Sequence, residues 1–129
     1  IAQRLVRRLC APCAAPVPAA ALPAALVQAA AALGLTEGSY AGRQPVGCSR
    51  CGHTGYRGRT GVHEFLPTTD ALRNELAGGD ITPRSLRACA AAGHRSLRQD
   101  GVLKFWHGLT SAAEVLSLPS GDTTLEAPG

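Results

Sequence analysis

The sequence predicts an α+β chain, mostly helical, in which a four-cysteine module with a short β-hairpin precedes a C-terminal helical block. Three observations predict it. Two C-x-x-C pairs, Cys10/Cys13 and Cys48/Cys51, frame a spacer of 34 residues. A glycine-punctuated run, YRGRTGVHEFL from Tyr56 to Leu66, follows the second pair and has the composition of paired strands. Beyond Pro67 the apolar residues recur with helical spacing. The divisions are the end of a helix at 1–9, the cysteine module at 10–66, the helical block at 67–118 and a tail at 119–129.

Taken in order, IAQRLVRRLC places Leu5 and Leu9 four apart and predicts a helix already in progress. The chain opens on Ile1 rather than Met, so it is expected to be a fragment of a longer protein. Pro12 stands inside the first knuckle, and the spacer opens with Pro16 and Pro18. PAALVQAAAALGL then predicts a helix, with Pro23 in its first turn and Gly34 to stop it. The run from Leu9 to Thr36 is uncharged but mostly Ala and broken by proline, so it is not a membrane span. In YRGRTGVHEFL the glycines are expected to place a hairpin turn. Asp70 to Ala77 predicts a short helix with Leu72 and Leu76 on one face. Thr82-Pro83 predicts the cap and first residue of another, ending at Gly93. Val102, Phe105, Trp106 and Leu109 recur at i, i+3, i+4 and i+7, an amphipathic helix. Ser111 and Glu114 have the spacing of a capping box. The small, polar tail from Pro119 is expected to be disordered.

Composition adds two constraints. The apolar content is largely Ala and the aromatics are few (Tyr40, Tyr56, Phe65, Phe105, Trp106), so the core is thin and a staple would help. The net charge is +4, and Lys104 is the only lysine. A basic balance of this kind suits nucleic acid, acidic lipid or acidic protein as well as a plain solvated surface.

Two C-x-x-C knuckles are the ligand pattern of a structural zinc site, each knuckle aiming two sulfurs at one point. A pair of disulfides, a redox C-x-x-C and chance proximity of buried thiols are the alternatives. Disulfides call for an oxidising compartment. A redox pair sits at a helix start after a strand, whereas Cys10 is expected to follow a helix. The fifth cysteine, Cys89, lies three residues after Leu86 on an apolar helix face and reads as core. Four thiolates on one zinc leave surplus negative charge, which Arg7, Arg8, Arg50, Arg57 and Arg59 are placed in sequence to offset. Gly52 and Gly55 suit the tight backbone under a knuckle. No G-x-x-x-x-G-K-[ST] or G-x-G-x-x-G is present, and His53, His63, His94 and His107 lack metal-pair spacing. The chain itself is expected to carry no catalytic residue and no cofactor-binding residue other than the cysteines.

With these parts in order, QRLVRRLCAPC, GCSRCGHTGYRGRTGVHEFL and LRACAAAGHRSLRQDGVLKFWHGLTSAAEVL together resemble the C-terminal part of the type II secretion and type IV pilus assembly ATPases. The resemblance runs from Gln3 to Leu118. A chaperone-type cysteine knuckle is a near miss, because it requires Gly where His53 stands. The resemblance implies that Cys10, Cys13, Cys48 and Cys51 bind structural Zn2+, and that residues 1–9 end the core of a RecA-like P-loop ATPase. ATP and Mg2+ would then bind in a region before Ile1, in a hexamer on the cytoplasmic side of the inner membrane. That hexamer would work with secretion or pilus platform proteins, with no nucleic acid as partner. The sequence departs from the family in a spacer unusually rich in Ala and Pro, and in His63, where many relatives have Tyr. The alternative is a stand-alone zinc module that binds nucleic acid.

Overall fold

The structure, a computed structural model, describes residues 2–64, 70–79, 82 and 95–119. The elements are β1 (Ala2–Leu9), β2 (Ala15–Pro16), α1 (Ala24–Ala32), β3 (Arg43–Gln44), β4 (Tyr56–Glu64), α2 (Asp70–Gly78), α3 (Leu97–Trp106) and α4 (Ala112–Leu116). The α+β class is as expected, but the strands are not arranged as the sequence suggests.

The first correction is β1. Residues 2–9 form a strand instead of a helix, paired antiparallel with β4 from Ala2↔Glu64 to Leu9↔Tyr56. Ala, Gln, Arg and Leu all favour helix locally, but a distant partner strand overrides so weak a preference. The Leu5/Leu9 spacing does not mark one face. Leu9 is buried and Leu5 is 59% exposed, while Val6 at 2% faces the core.

The second correction is the expected hairpin. Tyr56–Glu64 is one continuous strand and its partner is β1. Between the pairs Leu9↔Tyr56 and Arg7↔Arg59 the register shifts, so that Arg57 and Gly58 together face Arg8. Gly58 has φ +75°. The glycine does adopt the left-handed conformation that suggested a turn, but it makes a bulge within the strand. That extra residue changes the parity of β4 on either side of it; on β1, Val6 and Leu9 are both buried. Nothing lies within 4 Å of a Cβ placed on Gly58, so a substitution there tests backbone conformation alone. Gly58→Ala is expected to cost about 1 kcal/mol, read as a lower urea midpoint, and Gly58→Asn clearly less.

The helices follow their local signals. In α1, Leu26 and Ala30 are buried four apart, Pro23 precedes the first turn, and Gly34 closes the helix at φ +74°. In α3, Val102, Phe105 and Trp106 are buried, but Leu109 lies past the helix end and is half exposed. Its cap is Ser96 with Gln99, a reciprocal pair that the sequence reading overlooked. The helix expected over 70–77 is α2. Of the helix expected from Thr82-Pro83 to Gly93, residues 83–93, Cys89 among them, and the tail 120–129 fall outside the described residues.

Two clusters make the core. One gathers Leu26, Ala30, Val102, Phe105, Trp106 and Val115, so the spacer helix packs against the C-terminal block. Tyr40 meets Trp106 edge-on with ring centroids 4.7 Å apart, and Trp106 Nε1 donates to Ser39 Oγ at 3.0 Å. The other gathers Val6, Val62, Leu97 and Leu118, joining the sheet to α3. Asp100, 5% exposed, ties this second layer together. It accepts from the His63 backbone N–H at 2.9 Å and from Lys104 Nζ at 2.8 Å, with Arg95 at 3.7 Å. Among the described residues no helix is long and apolar enough to cross a membrane.

Candidate metal centre

The pairing of β1 with β4 explains how knuckles so distant in sequence meet. Cys10 directly follows β1, and Cys48 and Cys51 shortly precede β4, so antiparallel pairing brings both to one end of the sheet. The Cys10 N–H donates to Gly55 O at 2.9 Å and locks that end. After Cys10 the chain turns back, with the Cys13 and Ala14 amides donating to Cys10 O. The second knuckle is a single 3-10 turn, Ser49–Cys51, left through Gly52 at φ +65°, His53 at +63° and Gly55 at +83°. Gly52 and Gly55 thus serve the turn as expected. A Cβ on Gly55 would also lie 2.5 Å from Pro45 Cβ.

The four sulfurs lie within 4.8 Å of one another. Sγ–Sγ separations are 3.7 Å for Cys10–Cys48, 3.9 Å for Cys13–Cys51 and 3.8 Å for Cys48–Cys51. A tetrahedron of zinc–sulfur bonds of ~2.3 Å has edges of about 3.8 Å, so the donor set fits that ion in number, chemistry and spacing. The four are unlinked thiols, as the zinc reading requires and the disulfide reading does not. Cys10 is buried and the other three are half-buried.

The field at the sulfurs is set by backbone dipoles. Gly47 N–H donates to Cys13 Sγ at 3.4 Å, and Cys48 and Gly55 N–H each donate to Cys51 Sγ at 3.2 Å. Burial alone would raise the Cys51 thiol pKa, but these two amides and the neighbouring thiols outweigh it and bring it to about 6. Cys10, desolvated and bonded to the sulfurs around it, is pushed up to about 12. Of these two sulfurs, Cys51 is held the more readily as thiolate, while burial disfavours the charged form of Cys10.

Three expectations change here. Cys10 follows a strand, not a helix, so that part of the case against a redox pair does not stand; the fourfold sulfur cluster replaces it. Arg7 does not offset the sulfurs: its Nε and Nη2 bind Glu114 Oε1 at 3.0 and 2.8 Å, and its guanidinium lies 4.0 Å over the Tyr56 ring. The donors that the described residues aim at the sulfurs are backbone amides. Ser111 does cap α4, accepting from Glu114 N–H at 3.3 Å, but the Glu114 carboxylate turns to Arg7 instead of completing a capping box. That network was missed, and its one sequence signal is an acidic residue in an otherwise apolar short helix. Among the described residues, the four cysteines are the only cluster of three or more His, Cys, Asp or Glu side chains that could hold a metal; His53, His63 and His107 are not in it. His94 lies outside the described residues.

Residues 1–117 match the family described as type II/IV secretion system protein. The chain is 36% identical over 120 residues to the type IV pilus assembly ATPase PilB of Thermus thermophilus, covering 91% of this chain and 13% of that protein. It is 40% identical over 126 residues to the type II secretion system protein E of Aeromonas hydrophila, covering 95% of this chain and 23% of that one. It is 38% identical over 116 residues to the type II secretion system ATPase E of Vibrio cholerae, covering 90% and 22%. The chain thus spans less than a quarter of the length of these relatives. On the match along nearly its whole length, the chain belongs to the type II/IV secretion system protein family.

Proposed function

We propose that this chain is the zinc-binding C-terminal part of an ATPase that powers type II protein secretion or type IV pilus assembly. The observation that carries the reading is the near-tetrahedral set of Cys10, Cys13, Cys48 and Cys51 sulfurs in a chain related to PilB and to secretion protein E. Bound zinc would supply a fourfold cross-link and no chemistry of turnover. The chain's own residues do the rest. Gly47, Cys48 and Gly55 amides hold the thiolates, while α1 and α3 pack the spacer against the C-terminal block. ATP and Mg2+ would bind in a part of the protein outside this sequence, in a hexamer peripheral to the cytoplasmic face of the inner membrane. There it would engage the secretion or pilus platform. In that setting the chain's role is to hold one lobe rigid while neighbouring subunits move.

The test is native mass spectrometry with an ATPase assay. One zinc per chain and no hydrolysis above background are expected, because the sequence has no phosphate loop. A chain that binds no zinc, or that turns over ATP with Mg2+ by itself, overturns the reading. Duplex DNA binding at submicromolar levels near ~0.15 M salt, tighter than the roughly 10⁻⁴–10⁻⁶ M of non-specific contact, would favour a nucleic-acid module instead.

A further inference from the structure

One residue at the cysteine end of the sheet touches more of the molecule than its place on a strand requires. Arg7 N–H donates to Glu114 Oε2 at 2.8 Å, and its guanidinium makes two further bonds to Oε1 of the same carboxylate. Its carbonyl accepts from Thr110 Oγ1 at 2.8 Å. Its guanidinium covers the ring of Tyr56, whose hydroxyl is hydrogen-bonded to Ser111 Oγ at 2.8 Å. Two residues on, Leu9 N–H donates to Leu109 O at 3.0 Å. The segment 109–114 is thus fastened to the outer edge of β1 by a row of hydrogen bonds and an ion pair.

The same few residues hold the sulfurs. Gly55 donates to Cys51 Sγ and accepts from Cys10 N–H. Tyr56 is the next residue. The Tyr56 N–H and carbonyl both bond to Thr54 Oγ1, which also donates to Cys51 O at 2.8 Å. The path from Cys51 to α4 therefore runs Gly55, Tyr56, then Arg7 and Ser111, with a hydrogen bond, a covalent bond or a ring contact at each step. On β4, Arg59 faces Arg7 directly, and like charges so placed repel. Glu114 neutralises Arg7 at that point. Removing Glu114 leaves Arg7 and Arg59 as opposed cations on the paired strands.

We propose that metal binding by the four cysteines and docking of the 109–118 segment are coupled through Tyr56, Arg7 and Glu114, so that each strengthens the other. This rests on the zinc reading above. A bound ion fixes the Gly52–Gly55 turn and hence the ring on which Arg7 lies. A docked α4 fixes Arg7 and, through it, the same ring. Such linkage is reciprocal by thermodynamic necessity. Glu114 touches no sulfur, so an effect of its replacement on metal affinity would report the coupling itself.

The experiment measures zinc affinity of the whole chain by competition with a chelator, using zinc ion as the probe, for the parent sequence, Glu114→Gln and Tyr56→Phe. Leu26→Ala serves as the comparison, a core change of at least equal cost to overall stability. Both hub variants are expected to bind zinc about 5- to 10-fold more weakly, and Leu26→Ala by less than twofold. Hydrogen exchange supplies the converse. Stripping zinc should speed exchange of the Glu114, Val115 and Leu118 amides at least fivefold more than that of the Leu33 and Gly34 amides at the end of α1. Unchanged affinity in both hub variants overturns the coupling while leaving the zinc site intact. An equal loss in Leu26→Ala, or uniform exchange, shows only global stabilisation and overturns it too. Absence of zinc binding in the parent sequence fails the zinc reading first and so is told apart from either.

Discussion

Cys10→Ser is expected to remove the zinc and most of the folded population together. Cys10 is the innermost of the four proposed ligands, with no exposure, and a serine there offers a hard, protonated oxygen where zinc would need a soft thiolate. Structural zinc sites in small peptides are worth roughly 10–16 kcal/mol in apparent affinity, while a whole domain is stable by about 5–15 kcal/mol. A core thin in aromatics cannot absorb a loss of that order. Native mass spectrometry should find less than about a tenth of the parent zinc content, and circular dichroism a lost or strongly lowered transition. Cys13→Ser, Cys48→Ser and Cys51→Ser should behave alike, Cys89→Ser should keep its zinc, and equal zinc in all five variants would refute the ligand set.

The second large effect is expected at Asp100. Its carboxylate is almost fully buried and receives an ammonium, a guanidinium and a backbone amide from two elements. Truncating it leaves Lys104, itself mostly covered, without its counter-ion, and leaves the His63 N–H without an acceptor. Breaking a buried pair from one side costs about 3–5 kcal/mol. Asp100→Ala should therefore lower the midpoint of thermal unfolding by about 10 °C or more. Asp100→Asn keeps an acceptor for the amide and should recover part of the loss. If Asp100→Ala unfolds within a degree or two of the parent, the clasp between β4 and α3 contributes little.

What the sequence made legible was chemistry and short-range conformation. C-x-x-C is a local geometry, so two copies announce one site whatever lies between them. Pro23 and Gly34 bound α1 because capping is decided within a turn, and Phe105 and Trp106 are core because their spacing follows one helix face. The misses share a physical cause. Residues 2–9 carry side chains that suit a helix, and only a partner far along the chain makes them a strand. The glycines of 56–66 are expected to place a turn; Gly58 does take a left-handed φ, but a turn and a bulge use the same φ, and pairing alone tells them apart. Arg7 sits three residues from Cys10 yet points away from the sulfurs, because on a strand nearness in sequence does not fix the direction of a side chain. Glu114 could not be foreseen as its partner across more than a hundred residues.

The placing of both knuckles at one end of the sheet bears on which changes the spacer can accept. Residues 14–47 leave and re-enter the fold at anchored points, so the spacer is an excursion with fixed ends. Lengthening such an excursion is cheap, about 0.6 kcal/mol for each doubling of its length. Between those points the spacer is tied down by the Leu26 and Ala30 face of α1 against the cluster that holds Phe105 and Trp106, by Ser39 and Tyr40 on Trp106, and by the pairing of β2 with β3. Insertions at the exposed positions 20–21 or 36–38, clear of those contacts, should therefore pass with little consequence, whereas a one-residue deletion inside the helix would rotate that face by about 100° and uncouple the two halves of the molecule. The Ala- and Pro-rich composition then becomes intelligible as latitude: outside its anchors and these few contacts, the stretch is under little demand beyond reaching from one knuckle to the other.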